Sequence, residues 1–195
     1  MPTREQREKQ EAKRQRRFER RAERDRQSTR DRRGRRLRIA VIGLAGLAVV
    51  AALVWFVYLQ PRPGESVSTS GAGDHSGPPE GGYSTSPPTS GPHSPQVPSW
   101  GEQNGLSEQL QVHALEHGGV LVQYNCSPGC PQLVIKLENI TREYDRGVIL
   151  APYSRMDALI ALTSWGRIDL LDEFDLERIE EFVSKNRGNA PEGLR

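Results

Sequence analysis

The chain contains no glycine-rich phosphate loop, no nucleophile elbow and no internal repeat. Phosphate cradling, serine-hydrolase chemistry and solenoid architecture therefore have no support in it. It holds two cysteines, Cys126 and Cys130, and four histidines in 195 residues. No histidine follows Cys130, so a site joining thiol and imidazole would have to draw its imidazoles from upstream. Charge is missing altogether between Ile39 and Leu59, while the 38 residues before that run have almost nothing apolar to bury.

These gaps divide the chain into unlike parts, and the net charge of +2 averages over them. Residues 1–38 carry seventeen Arg and Lys against seven Asp and Glu, a net of +10; the rest carries ten against eighteen, a net of −8. The run between, "IAVIGLAGLAVVAALVWFVYL", has 21 residues. At a helical rise of about 1.5 Å per residue it spans a hydrocarbon core of about 30 Å. Gly43 and Gly46 are tolerated there, because in lipid every backbone group must bond internally. Trp55 and Tyr58 stand near its distal end, where aromatic side chains favour the interface. A cleaved signal would have a shorter apolar region followed by small residues, and "VYLQPRPGE" supplies no such cleavage pattern.

The expectation is thus a basic cytoplasmic arm over 1–38, a single transmembrane helix over 39–59 in the lipid bilayer, and everything from Gln60 onward outside. The arm's positive charge suits lipid headgroups. Nothing in it reads bases, so nucleic acid is not an expected partner.

From residue 60 to 82 the chain is Pro, Gly, Ser and small polar residues without apolar periodicity, which predicts a disordered linker with His75 solvated in it. Residues 83–195 form the expected globular domain. Its first stretch, "YSTSPPTSGPHSPQVPSWG", is as rich in turn formers but carries Tyr83 and Trp100, which predicts an extended arm packed on the domain. Five prolines between Pro87 and Pro98 lower the entropy lost on ordering it, and a fixed path would hold His93 in one place.

Beyond Gly101 about 95 residues remain, enough for one small core. Ser107 caps a helix carrying Leu110, Ala114 and His117, with Gly118 as its terminator. "VLVQYN" (120–125) reads as a buried strand, and 131–144 as a helix with Pro131 in its first turn. "GVILAPY" and "ALIALTSWG" are strands joined by a polar turn, a candidate hairpin. Asp175 caps a last helix through Asn186. The order predicts an α+β fold, a small mixed sheet with flanking helices.

The chemistry concentrates in "HALEHGG", His113 to Gly119. On a helix His113 and His117 stand at i and i+4, so both rings point one way and can converge on one ion, with Glu116 on an adjoining edge. On a strand they would lie about 13–14 Å apart, too far to share a metal. "HALEH" also matches the inverted zinc-peptidase pattern H-x-x-E-H. The glycines directly after the second histidine, and the small domain, argue against a peptidase. For Cys126 and Cys130 a disulfide, redox or metal-linked thiols, and inert free thiols all stand open. C-x-x-x-C-P after a strand and before a helix resembles Sco-type copper chaperones, whose histidine partner, however, lies downstream of the cysteines.

Taken together, "YSTSPPTSGPH", "VHALEHGGVLVQYN", "TSWGR" and "NAPE" resemble an uncharacterised bacterial family of single-pass membrane proteins, marked by P-P-T-S-G-P-H and L-E-H-G-G motifs. The resemblance implies an extracytoplasmic domain of unknown function in the bacterial cell membrane, with His93, His113, Glu116 and His117 on its signature segments. The functional expectation is a domain binding copper or zinc through His93, His113 and His117, with Glu116 as fourth ligand or as orienter. Alternatives are a non-catalytic envelope module contacting a protein partner, and a thiol-disulfide or copper-chaperone role through Cys126 and Cys130.

Overall fold

A computed structural model describes residues 35–56, 61–126 and 129–194, together with Arg17, Arg20, Arg21, Glu23 and Arg24. The chain divides into two compact units, residues 1–60 and 61–195. In the first, α1 (Arg35–Phe56) is a single helix long and apolar enough to cross a membrane, with its apolar side chains exposed. Most of the basic arm, and residues 57–60 at the end of the expected span, lie outside the described residues.

The second unit is α+β. Its elements are β1 (Glu65–Ser66), β2 (Gly101–Glu102), α2 (Glu108–Glu116), β3 (Val120–Tyr124), α3 (Pro131–Thr141), β4 (Val148–Pro152), β5 (Ile160–Ser164), β6 (Arg167–Leu171) and α4 (Leu176–Asn186). They build one mixed sheet in the order β1-β6-β5-β3-β4-β2. Alternation along β3 sorts its side chains into two cores. Val120 and Val122 face α3 and α4, packing with Leu137, Ile140, Ile179 and Phe182. Leu121 faces α2, packing with Val112, Leu115, Ile149 and Trp165. Trp165, just past the end of β5, closes this second core.

Ser107 caps α2, its side chain accepting from the Leu110 N–H, and Asp175 caps α4 through the Arg178 N–H. Pro131 opens α3, where its missing N–H costs nothing.

The expected β4–β5 hairpin does not form. β4 runs parallel to β3, reached through the α3 crossover that a parallel pair requires, and β5 pairs with β3 from the other side, antiparallel. Both runs are almost wholly apolar because sheet and helices cover them on both faces, and such runs report burial without reporting neighbours. The actual hairpin is β5–β6, turning at Trp165-Gly166.

Residues 61–82 also depart from the expected linker. From Pro61 the chain runs along the domain as a strap. β1 pairs antiparallel with β6, and the Arg167 guanidinium donates to the carbonyls of Arg62 and Gly64. A Cβ on Gly71 would fall 2.3 Å from the carbonyl carbon of Gly91, so the strap backbone lies directly against the Pro-rich arm. Composition predicted disorder because the strap brings few apolar side chains of its own. It is held by backbone hydrogen bonds and close backbone packing, which side-chain hydropathy does not record.

Cys126 and Cys130 form a disulfide closing the turn between β3 and α3, with Cα atoms 5.5 Å apart. It follows the C-terminal end of β3, whereas the histidines of α2 precede the N-terminal end. Five residues of strand, about 16 Å, separate the two. Thiols and imidazoles do not share a site.

Candidate metal centre

α2 delivers two of the site's side chains, and its ending explains "HGG". The Gly119 N–H bonds the Ala114 carbonyl at 2.8 Å and the Gly118 N–H bonds that of Leu115 at 3.0 Å, the paired closure of a Schellman motif. Gly118 takes the left-handed φ of +81° that this closure demands. Residues Gln111 to Glu116 are buried all round, because the sheet covers one side of the helix while the arm and strap cover the other.

The arm delivers His93, as its prolines predicted. Pro87 to Gly91 are buried, and Tyr83 donates its hydroxyl to the Pro92 carbonyl at 2.9 Å. Burial, with Glu108 nearby, pushes the Tyr83 phenol up to about 12, so it remains a donor throughout the physiological range. The strap delivers His75. The His93 N–H donates to the Asp74 carbonyl and the Gly77 N–H to the His93 carbonyl, a two-way tie between strap and arm on either side of His75. His75 is therefore held beside the arm rather than solvated in a linker, and expecting the latter missed a candidate ligand.

These segments bring His75, His93, His113 and Glu116 together with ligand atoms all within 4.8 Å of one another. Ring centroids of His75, His93 and His113 lie 4.9–5.0 Å apart. His93 and Glu116 are fully buried and His113 nearly so, while the His75 side chain is 38% exposed and forms the solvent side. His117, expected as a ligand, stands beside this group. Its Nε2 lies 2.8 Å from Nε2 of His113, with the two rings stacked.

The hydrogen bonds fix which nitrogens are available. Nδ1 of His93 contacts the Gly91 carbonyl at 2.8 Å, and Nδ1 of His113 the Ser94 carbonyl at 2.7 Å. A carbonyl only accepts, so both Nδ1 atoms carry a proton, and Nε2 is the nitrogen each ring has left for an ion. Bonding of Nδ1–H to a carbonyl is the arrangement that orients metal-ligating imidazoles. Nε2 of His93 faces Glu116 Oε2 at 3.1 Å, two lone pairs that require a proton or a cation between them. Glu116 is held in turn, Oε1 accepting the Gly73 N–H at 2.5 Å, and His75 Nε2 stands 3.5 Å from Oε2.

Burial holds the His113 imidazole below its ordinary pKa, opposed by the Ser94 carbonyl and reinforced by His117, His93 and His75. A histidine depressed in the fold resists protonation there. Its contribution to stability is present above the unfolded value of about 6.5 and is lost as pH falls through the depressed folded value. The unfolding midpoint of the protein without added metal should accordingly drop on acidification below about pH 6.5, and less so in His113→Asn. Equal pH dependence in the two proteins would contradict this assignment.

Residues 80–195 match the model of a protein family of unknown function, DUF3105. The match includes His93, His113, Glu116 and His117, and begins after His75. No curated protein and no solved structure matches the chain.

Proposed function

The chain belongs to the DUF3105 family of proteins of unknown function, and from its site we propose that it is a membrane-anchored, extracytoplasmic metal-binding protein. One observation carries this reading: two buried imidazoles, each with Nδ1 tied to a backbone carbonyl, cluster with His75 around a buried carboxylate that a backbone N–H holds in place, His93 facing it through Nε2 and all four ligand atoms within 4.8 Å of one another. Burying a carboxylate among imidazoles without a compensating cation is costly, and a divalent ion removes that cost.

The donor set favours zinc or copper(II). Imidazole and carboxylate suit both, whereas copper(I) prefers soft thiolates, and the two sulfurs here are joined in a disulfide beyond the far end of β3. With His75, His93, His113 and Glu116 all bound, a tetrahedral ion has no open position, so the site suits holding an ion better than turning over a substrate. The placement outside the cell rests on α1 and the basic residues before it. An envelope partner, the other reading of the sequence, would meet the exposed part of the arm, Pro95 to Val97, since Pro87 to Gly91 are buried.

Titration of the full-length chain with zinc and with copper(II) at neutral pH tests the reading. The expected result is saturation at one ion per chain with release of the ion on acidification, because the imidazoles must be deprotonated to bind. Lack of saturable binding by either metal would defeat it.

A further inference from the structure

The "NAPE" segment at the C-terminus lies against the site without belonging to the donor group above. Its attachment is made by backbone. The Gly188 N–H donates to the Gly118 carbonyl at 2.8 Å, and the Glu192 N–H to the carbonyl of Glu116, the residue that carries the buried carboxylate, at 3.2 Å. A Cβ on Gly118 would come within 3.0–3.2 Å of Gly188, Gly193 and Leu194 backbone atoms, so the glycine after His117 leaves room for this segment. So docked, Glu192 sets its Oε2 3.4 Å from Nδ1 of His117, within ion-pairing distance but outside hydrogen-bond geometry. The His117 side chain is 12% exposed.

We propose that Glu192 is a positioning residue for a fifth metal donor, His117. The inference rests on the metal-binding reading. His113 Nε2 cannot both share a hydrogen bond with His117 and coordinate an ion, so loading the ion frees His117 Nε2 beside a coordinated nitrogen. The 2.8 Å between these nitrogens corresponds, with zinc about 2.0–2.1 Å from each, to an angle of roughly 85° at the ion. That angle belongs to a five-coordinate centre and is too narrow for a tetrahedral one. For His117 to coordinate through Nε2 its proton must sit on Nδ1, and the Glu192 carboxylate accepts it there after a shift of a few tenths of an ångström. This is the carboxylate–histidine–metal arrangement that raises ligand basicity and fixes the tautomer. The C-terminal segment thereby becomes a clasp on the loaded site.

Zinc competition titrations on the full-length wild type, Glu192→Ala, Glu192→Gln, His117→Ala and the His117→Ala/Glu192→Ala double variant test this. Glu192→Ala should lose about 10–100-fold in affinity. Glu192→Gln, whose amide oxygen still accepts the Nδ1 proton, should recover most of that loss. In the His117→Ala background Glu192→Ala should cost nothing further, because Glu192 acts through His117. Wild-type affinity in Glu192→Ala, no recovery with Gln, or an equal loss with and without His117 would overturn the proposal while leaving the metal site standing. Failure of the wild type to bind zinc would instead remove the metal reading and this inference with it.

Discussion

Replacing His93 or His113 with Ala in the full-length chain should lower zinc affinity by about a hundredfold or more, with His75→Ala giving a visibly smaller loss. The scale follows from a binding free energy of about 10–16 kcal/mol shared among the four clustered ligands and His117, on the order of 2–3 kcal/mol each with the buried ones at the upper end. The ranking follows from the surroundings. His93 and His113 are buried with their Nδ1 atoms tied to carbonyls, so their orientation is set before the ion arrives. His75 is 38% exposed, and ordering it further takes back part of what its bond contributes. Competition against a chromophoric chelator measures all three. An unchanged affinity in His93→Ala or His113→Ala would mean that the cluster is polar packing, and a loss for His75→Ala as large as the others would contradict the ranking.

The second large effect concerns the helix ending rather than the ligands. Gly118→Ala should destabilise the protein by about 2–4 kcal/mol, since a non-glycine residue in the left-handed region costs about 1–2 kcal/mol and the added Cβ meets three backbone groups. For a unit of this size the thermal midpoint should fall by roughly 8–15 °C. Displacing the C-terminal segment also separates Glu192 from His117, so weaker zinc retention should accompany the lower midpoint. Gly105→Ala, where a Cβ would meet nothing, should leave both unchanged. A Gly118→Ala protein as stable as wild type would show that the C-terminal segment is not packed against the end of α2.

Much of this arrangement was legible before the fold was known, where a local chemical rule determined it. Ser107, Asp175 and Pro131 marked their helices because unpaired N–H groups at helix starts have few remedies. The i,i+4 spacing of His113 and His117 announced a shared face, and Tyr83 with five prolines announced an ordered arm carrying His93. What failed depended on long-range pairing. The partners of β3 could not be read from two apolar runs that look alike. β6, "RIDLL", is too short and too close behind Trp165-Gly166 to stand apart from the strand before it. The two-residue strands β1 and β2 carry no periodicity at all.

His75 was missed for the most instructive reason. Its neighbours, "STSGAGDHSGPP", contain nothing that seeks a core, yet glycine lets the backbone approach the arm closely enough to be held by it. A usable signal was present in Gly71, Gly73 and Gly77 around a lone histidine. Glycines spaced closely about one chemical residue fit a tight path past another backbone as well as they fit disorder, and composition alone cannot separate the two.

The central claim, that the clustered imidazoles and Glu116 hold a metal ion, is tested most directly by elemental analysis of the full-length chain purified without chelators and dialysed at neutral pH. The account predicts close to one zinc or copper per chain in the wild type, and little in a His93→Ala/His113→Ala protein prepared the same way. A wild-type protein that carries no transition metal and takes up neither ion when supplied would contradict it.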